Sequence, residues 1–280
     1  MAQTTTLNPF CGSCAVLLAR PGYDPQRHTE TVVDADGHIA NVWRSLQADP
    51  DEVARWCDWP VNHADLIARK KRLNLNTESL LERLCADDAF FDAKLAGYYI
   101  WAASCWIGHG LIRPNQRPHL TAKGMGVHKQ AKPPIYDWFR QLSERLRHVR
   151  VVCGDWSRVC GGNWQDSNWP TVGMFFDPPY SDKADRDSGL YAVDSLDVAH
   201  DVRQWCIERG RRANYRIVLA GYTDEHAELL DHGWTTHQWS AGGGYGNIAR
   251  NGETRGEKNR HKETLFLSPH CLTGQMGLFD

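Results

Sequence analysis

Four short apolar runs constrain this chain more than any other feature, because three of them stop on an acid-bearing loop. They are Thr31-Val32-Val33 before Asp34, Val149-Arg150-Val151-Val152-Cys153 before Gly154-Asp155-Trp156, Val172-Gly173-Met174-Phe175-Phe176 before Asp177, and Arg216-Ile217-Val218-Leu219-Ala220. Strands that read as near-continuous apolar runs belong to parallel sheets covered on both faces. Parallel neighbours need crossover connections, usually helices. Residues 37–46 suit one such helix, with Ile39, Val42, Trp43 and Leu46 on one face, and residues 195–209 suit another, stopped by Gly210. Thr4-Thr5-Thr6-Leu7 and residues 234–239 and 264–267 are weaker strand candidates. The fold class expected is α/β.

Residues 49–148 differ in character, with helical patterns and little strand signal. Helices are expected over 51–59, over 77–85 with Thr77 as N-cap, over 90–107 with Phe91, Leu95, Tyr99, Ala102 and Trp106 at helical spacing, and over 136–147. The chain therefore divides into a sheet domain, residues 1–48 and 149–280, interrupted by a helical insertion, residues 49–148. The most apolar stretch, residues 95–107, falls short of the ~20 residues a spanning helix needs, so no membrane association is expected.

Charge narrows the partners. The formal net charge is -2, so the chain has no global basic excess, and any nucleic-acid contact must come from local patches. Two loops supply them. Residues 108–134 carry Arg113, Arg117, Lys123, His128, Lys129 and Lys132 with no acid, and residues 241–262 carry Arg250, Arg255, Lys258, Arg260 and Lys262. Nine scattered cysteines and no signal peptide point to a reducing cytoplasm rather than a disulfide framework. Cys11 and Cys14 form a C-x-x-C without a second pair at zinc-site spacing, so no metal is expected. Most of the twelve tryptophans belong to the core, with some left to stack on bases.

Asp177-Pro178-Pro179-Tyr180 carries the chemistry. It sits at the carboxyl end of an apolar strand, the edge where open α/β sheets bind ligands. The prolines stiffen the loop. The Asp177 carboxylate and the Pro178 carbonyl can each accept a hydrogen bond from one amino group, while Tyr180 offers a flat face. An aromatic amine is a poor nucleophile because its lone pair is delocalised into the ring. Two acceptors on its hydrogens favour pyramidalisation and concentrate that lone pair, and Tyr180 can stack on a base taken out of a duplex. The rest is proximity.

From about Asn8 to Leu272 the chain resembles the Dam-like (class I, alpha-group) adenine-N6 DNA methyltransferases. Asn8-Pro9-Phe10-Cys11-Gly12-Ser13-Cys14-Ala15 resembles their cofactor loop, (D/E)-P-F-x-G-(S/A)-G. Asp34-Ala35-Asp36 resembles the acidic motif that binds the adenosyl moiety, Gly154-Asp155-Trp156 the pair that contacts the cofactor adenine, and residues 263–270 the closing strand. The resemblance implies a Rossmann-like S-adenosylmethionine-dependent sheet with an inserted helical DNA-recognition subdomain. It implies S-adenosylmethionine held by Asn8, Pro9, Phe10, Gly12, Ser13, Asp34, Asp155, Trp156 and Asp177. Catalysis would fall to Asp177, Pro178, Pro179 and Tyr180. Double-stranded DNA is the implied partner of a monomeric prokaryotic or phage-encoded enzyme, as in restriction-modification.

The chain departs from the pattern at Asn8, where the family has an acid, and at Cys14, where it has a glycine. The family also has a G-G-K segment and a helix before this loop, whereas seven residues precede Asn8 here. The alternative these departures imply is a cofactor-deficient remnant that keeps DNA binding without catalysis.

Overall fold

A computed structural model describes residues 4–105, 134–161, 170–179, 197–238 and 263–271. The strands are β1 (Thr4–Asn8), β2 (His28–Asp34), β3 (Val149–Cys153), β4 (Thr171–Phe176), β5 (Tyr215–Tyr222), β6 (Thr235–Gln238) and β7 (Glu263–Leu267). They form one sheet in the order β3-β2-β1-β4-β5-β7-β6. Strands β1 to β5 pair in parallel, and β7 runs antiparallel to both β5 and β6. The helices are α1 (Ala15–Leu18), α2 (Gly37–Ala48), α3 (Pro50–Cys57), α4 (His63–Ala86), α5 (Ala93–Cys105), α6 (Ile135–Leu146), α7 (Ser157–Cys160), α8 (Val198–Arg209) and α9 (Thr223–His226). This is a mixed α/β fold with a mostly parallel sheet, compatible with a Rossmann-like architecture.

Period-two alternation sorts the strand residues between two cores. Val32 and Val149 join the cluster formed with α1 to α6, whereas Leu7, Val33, Met174 and Phe176 join the cluster formed with α7 and α8. Both faces are therefore buried over residues 32–33 and 172–176, which is why those runs are apolar. β6 is the exception: all four of its residues are exposed, as suits an edge strand.

The helical segment does not pack by itself. Its buried residues join one cluster with Val42, Trp43 and Leu46 of α2. Asn41 of α2 fixes the start of α5 reciprocally: its Nδ2 donates to Asp92 O and its Oδ1 accepts from Asp92 N, both at 2.8 Å. Gln47 Nε2 donates at 2.7 Å to the carbonyls of Leu146 and Val149, tying α6 and β3 to α2. At Gly97 the α3–α5 crossing is tight, since a Cβ there would lie 2.5 Å from Trp56 Cβ and 2.7 Å from Val53 O. Glu30, on β2, has a fully buried side chain that accepts from Arg20 at 3.2 Å and from Arg145 at 2.7 Å, joining the sheet to α6.

Several element bounds differ from the sequence expectation. No helix starts at Thr77; that position lies inside α4, which Asn62 caps through Oδ1 accepting from Ala64 N and Asp65 N. The helix runs on because Leu66, Leu73, Leu80 and Leu84 keep one buried stripe along its whole length. α3 stops at Cys57, short of Trp59, and begins at Pro50 after the Asp49 cap. α5 begins at Ala93, not Phe90, because Asp92 Oδ1 accepts from Leu95 N at 2.9 Å. Among the described residues, no helix is long and apolar enough to cross a membrane.

Candidate active site

The connectivity reverses between β1 and β4: β1 leads outward to β2 and β3, and β4 leads the other way to β5. Ligands of open α/β sheets bind at the carboxyl ends of the strands flanking such a reversal. The register pairs Leu7 with Met174, so the segments that begin at Asn8 and at Asp177 leave the sheet from neighbouring strands at this point. β2 and β3 bring Asp34 and Gly154 to the same edge, where Asp34 pairs with Cys153 and its carbonyl accepts from Gly154 N at 2.9 Å.

The loop after β1 is held by named bonds. Cys11 N donates to Val33 O at 2.9 Å, and Gly12 N donates to Asp34 Oδ2 at 2.9 Å. Trp43 of α2 reaches across to donate its indole N–H to Gly12 O at 2.9 Å. The other Asp34 oxygen accepts from Asp36 N at 2.9 Å. Burial pushes the Asp34 carboxyl up from its ordinary range, and the Asp36 and Gly12 N–H groups work against that shift. Oδ2 also accepts from the Cys11 thiol at 3.7 Å, so Oδ1 is the oxygen that keeps a lone pair for a further donor. Asp36 caps α2 through His38 N at 2.8 Å, and Tyr99 of α5 stacks on His38 with centroids 5.8 Å apart. Burial, with the nearby Asp36 and Asp34 carboxylates, raises the Tyr99 phenol.

Two loop residues take left-handed backbone. Gly12 has φ 43°, and no heavy atom lies within 4 Å of where its Cβ would stand, so its outer face is open. Cys14 has φ 54° and is, among the described residues, the one non-glycine with positive φ. It is 2 % exposed, and its N–H donates to Cys11 O at 2.6 Å. The Cys11 thiol is driven far up by the Cys14 side chain and by burial, and both thiols are free. Among the described residues, no group of three or more His, Cys, Asp or Glu side chains is placed to hold a metal ion.

Asn8 stands out chemically. It is 3 % exposed, yet among the described residues neither its Oδ1 nor its Nδ2 has a hydrogen-bond partner. A buried amide left this way costs free energy unless something else meets it. Pro9 is buried beside it, Phe10 is half-buried and Ser13 is exposed. Phe10 stacks on Trp156 with centroids 6.4 Å apart, and both rings meet Phe176. Trp156 also meets Trp205 edge-on, so it belongs to an aromatic cluster under the loops. The exposed Asp155 closes its own turn by accepting from Ser157 N at 2.9 Å.

Asp177 follows the last residue of β4; Pro178 is buried and Pro179 half-buried. Asp177 is exposed at the end of the strand, with protein atoms packed about its carboxyl. Burial, then the Glu263 carboxylate at the start of β7, raise it to about 6. Tyr180 lies outside the described residues, as do Arg113, Arg117, Lys123, His128, Lys129, Lys132, Arg250, Arg255, Lys258, Arg260 and Lys262.

Sequence reasoning missed three contributors. Trp43 and Tyr99 read as core residues of amphipathic helices, and nothing in their spacing marks the Trp43 bond to Gly12 or the Tyr99 stack on His38. The basic run Arg69-Lys70-Lys71-Arg72, close in sequence to Trp56 and Trp59, is a local signal for a polar cavity in the helical segment. Comparison with known proteins finds no family model and no curated protein that matches this chain.

Proposed function

We propose that this chain is a DNA methyltransferase that uses S-adenosylmethionine to methylate the N6 amino group of a flipped-out adenine, with residues 49–148 serving target recognition. The observation that carries the reading is that Asp177-Pro178-Pro179 leaves β4 beside the Asn8-Pro9-Phe10 loop, at the reversal point of the sheet.

The residues at the strand ends suit S-adenosylmethionine. The buried Asn8 amide lacks a partner and can meet the polar amino-acid end, Gly12 leaves open space for close backbone approach, and Asp34 can accept from ribose hydroxyls. When bound, the cofactor supplies a methyl group on a positively charged sulfur. The chain's part is to hold and orient the amine. Asp177 and the Pro178 carbonyl accept its two hydrogens, and Tyr180 stacks on the base. Asp177 serves best as a carboxylate, so its raised pKa bears directly on activity.

The test is transfer of labelled methyl groups to duplex DNA, with nucleosides separated by mass spectrometry. N6-methyladenine is the expected product, and Asp177→Ala is expected to abolish it while circular dichroism stays unchanged. Wild-type transfer by Asp177→Ala and Tyr180→Ala alike refutes the assignment. The departures at Asn8 and Cys14 favour one rival, a chain that binds DNA without cofactor. Calorimetry separates the two, since no heat at millimolar S-adenosylmethionine sinks the enzyme.

A further inference from the structure

A cavity of about 620 Å³ opens between α3, α4 and α5, lined by Trp56, Trp59, Arg69, Lys71, Arg72 and Tyr98. Arg69 is its centre. It is 6 % exposed, with its guanidinium 4.2 Å from the Trp101 ring centroid, 4.4 Å from Tyr98 and 5.1 Å from Trp59. Among the described residues its one hydrogen bond runs to Trp56 O at 2.9 Å, and no carboxylate lies within ion-pair distance. Burial lowers its pKa, which is what a cation without a close counter-ion experiences. One acid, Asp65, shares the wall, and its Oδ2 accepts the Trp59 indole N–H at 2.8 Å. Lys94 adds a further positive charge 4.1 Å from the Trp56 ring centroid.

We infer that this cavity takes a nucleotide unit of a DNA strand, its phosphate on Arg69 and Lys71 and its base against Trp59. Buried guanidinium groups suit phosphate because their donors are forked and less strongly hydrated than an ammonium. A bare anion would leave the aromatic wall unused, and an uncharged ring would leave Arg69 unpaired. Trp59, 40 % exposed, offers the stacking surface. The volume falls in the range of small-ligand sites, on the order of 300–1,000 Å³. The exposed face of α4 continues from the rim through Lys71 to Leu75, which is 73 % exposed, leaving room for a strand to run on. This assignment deepens the target-recognition role proposed for residues 49–148, rests on that reading for its DNA partner, and uses none of the residues at the strand ends.

The test measures anisotropy of a fluorescein-labelled single-stranded DNA dodecamer, and of its duplex, with the full chain. Trp59→Ala is expected to weaken single-strand binding about tenfold or more. Lys71→Ser is expected to lower the slope of log affinity against log salt by about 0.7, one phosphate contact. Arg69 is left in place, because its ring contacts join α4, α5 and the loop after α3. Both variants are expected to keep the wild-type circular dichroism and heat of S-adenosylmethionine binding. Wild-type affinity in both variants overturns the inference, as does a wild-type chain that binds neither strand nor duplex. Equal competition by tripolyphosphate, or by dAMP, overturns the strand assignment in favour of plain charge or a free nucleotide. A wild-type chain that binds no S-adenosylmethionine yet loses DNA in these variants sinks the methyltransferase reading and keeps this one.

Discussion

The backbone N–H of Gly12 donates to Oδ2 of Asp34 across 2.9 Å, so the acid that ends β2 holds the loop that follows β1. The same carboxylate accepts from Asp36 N, so one side chain joins two strand-end loops. Asp34→Ala leaves both donors without this acceptor, a loss of about 1–3 kcal/mol where water does not replace it. The expected outcome, by calorimetry, is at least about tenfold weaker S-adenosylmethionine binding, by the free-energy equivalence of affinity. Asp34→Asn keeps one acceptor oxygen and is expected to retain part of the affinity. Wild-type binding by Asp34→Ala would remove Asp34 from the cofactor site.

Asp177 predicts a pH profile. Its carboxyl is raised to about 6 by burial and Glu263, so it carries its proton in the folded chain over a range where an unfolded Asp has lost it. The carboxylate acceptor forms as pH rises through about 6, and kcat/KM for methyl transfer is expected to climb through that value and level off above it. The stability sign is the opposite. Between the ordinary Asp range and about 6 the folded chain binds more protons than the unfolded one, so Asp177 lowers stability as pH rises there. Asp177 is exposed to solvent, which keeps that stability effect small. Glu263→Gln is expected to move the activity profile to lower pH, and an unmoved profile would exclude Glu263 as a cause.

The strand ends were legible because burial on both faces leaves residues 31–33 of β2 and 172–176 of β4 without a charged side chain, so the acids that follow mark the sheet edge. Asp34 and Asp177 were found that way. The solitude of the Asn8 amide was not legible, because it depends on what β2, β4 and the loops do not offer it, and those lie far away in sequence. The length of α4 was hidden by its own basic run. Four successive cations look like a break in an apolar pattern, whereas Arg69 and Lys70 are buried and only Lys71 and Arg72 face outward. Arg69 can go inside because Trp59, Tyr98 and Trp101 supply ring faces, which no local pattern records.

Cys14 occupies the position where the resembled cofactor loop has glycine, and its φ of 54° gives that glycine a physical reason. A non-glycine residue in left-handed backbone costs roughly 1–2 kcal/mol. Cys14→Gly removes that cost and also removes a buried side chain, so its stability is expected to stay within about 1 kcal/mol of wild type. Cys14→Val adds a β-branch to the same backbone and is expected to lose about 2 kcal/mol or more in urea unfolding. If Cys14 also crowds the loop, Cys14→Gly binds S-adenosylmethionine more tightly, and unchanged affinity assigns the departure to folding alone.

Glu30 makes the last prediction, because its carboxylate is the meeting point of Arg20 and Arg145 and its side chain is fully buried. Arg145 places one guanidinium nitrogen 2.7 Å and the other 3.1 Å from the two Glu30 oxygens, and the second nitrogen also donates to Leu17 O at 2.9 Å. The triad thereby couples β2, α1 and α6. Removing the acid leaves two arginines facing each other without their anion, and breaking a buried pair in this way costs about 3–5 kcal/mol. Glu30→Ala is expected to lose that much in urea unfolding. Glu30→Met with Arg145→Met replaces the longest reach of the network with apolar packing and is expected to lose less than Glu30→Ala alone, since charge is removed from both sides. The double variant being the less stable of the two would mean that the triad contributes by attraction rather than by mutual neutralisation.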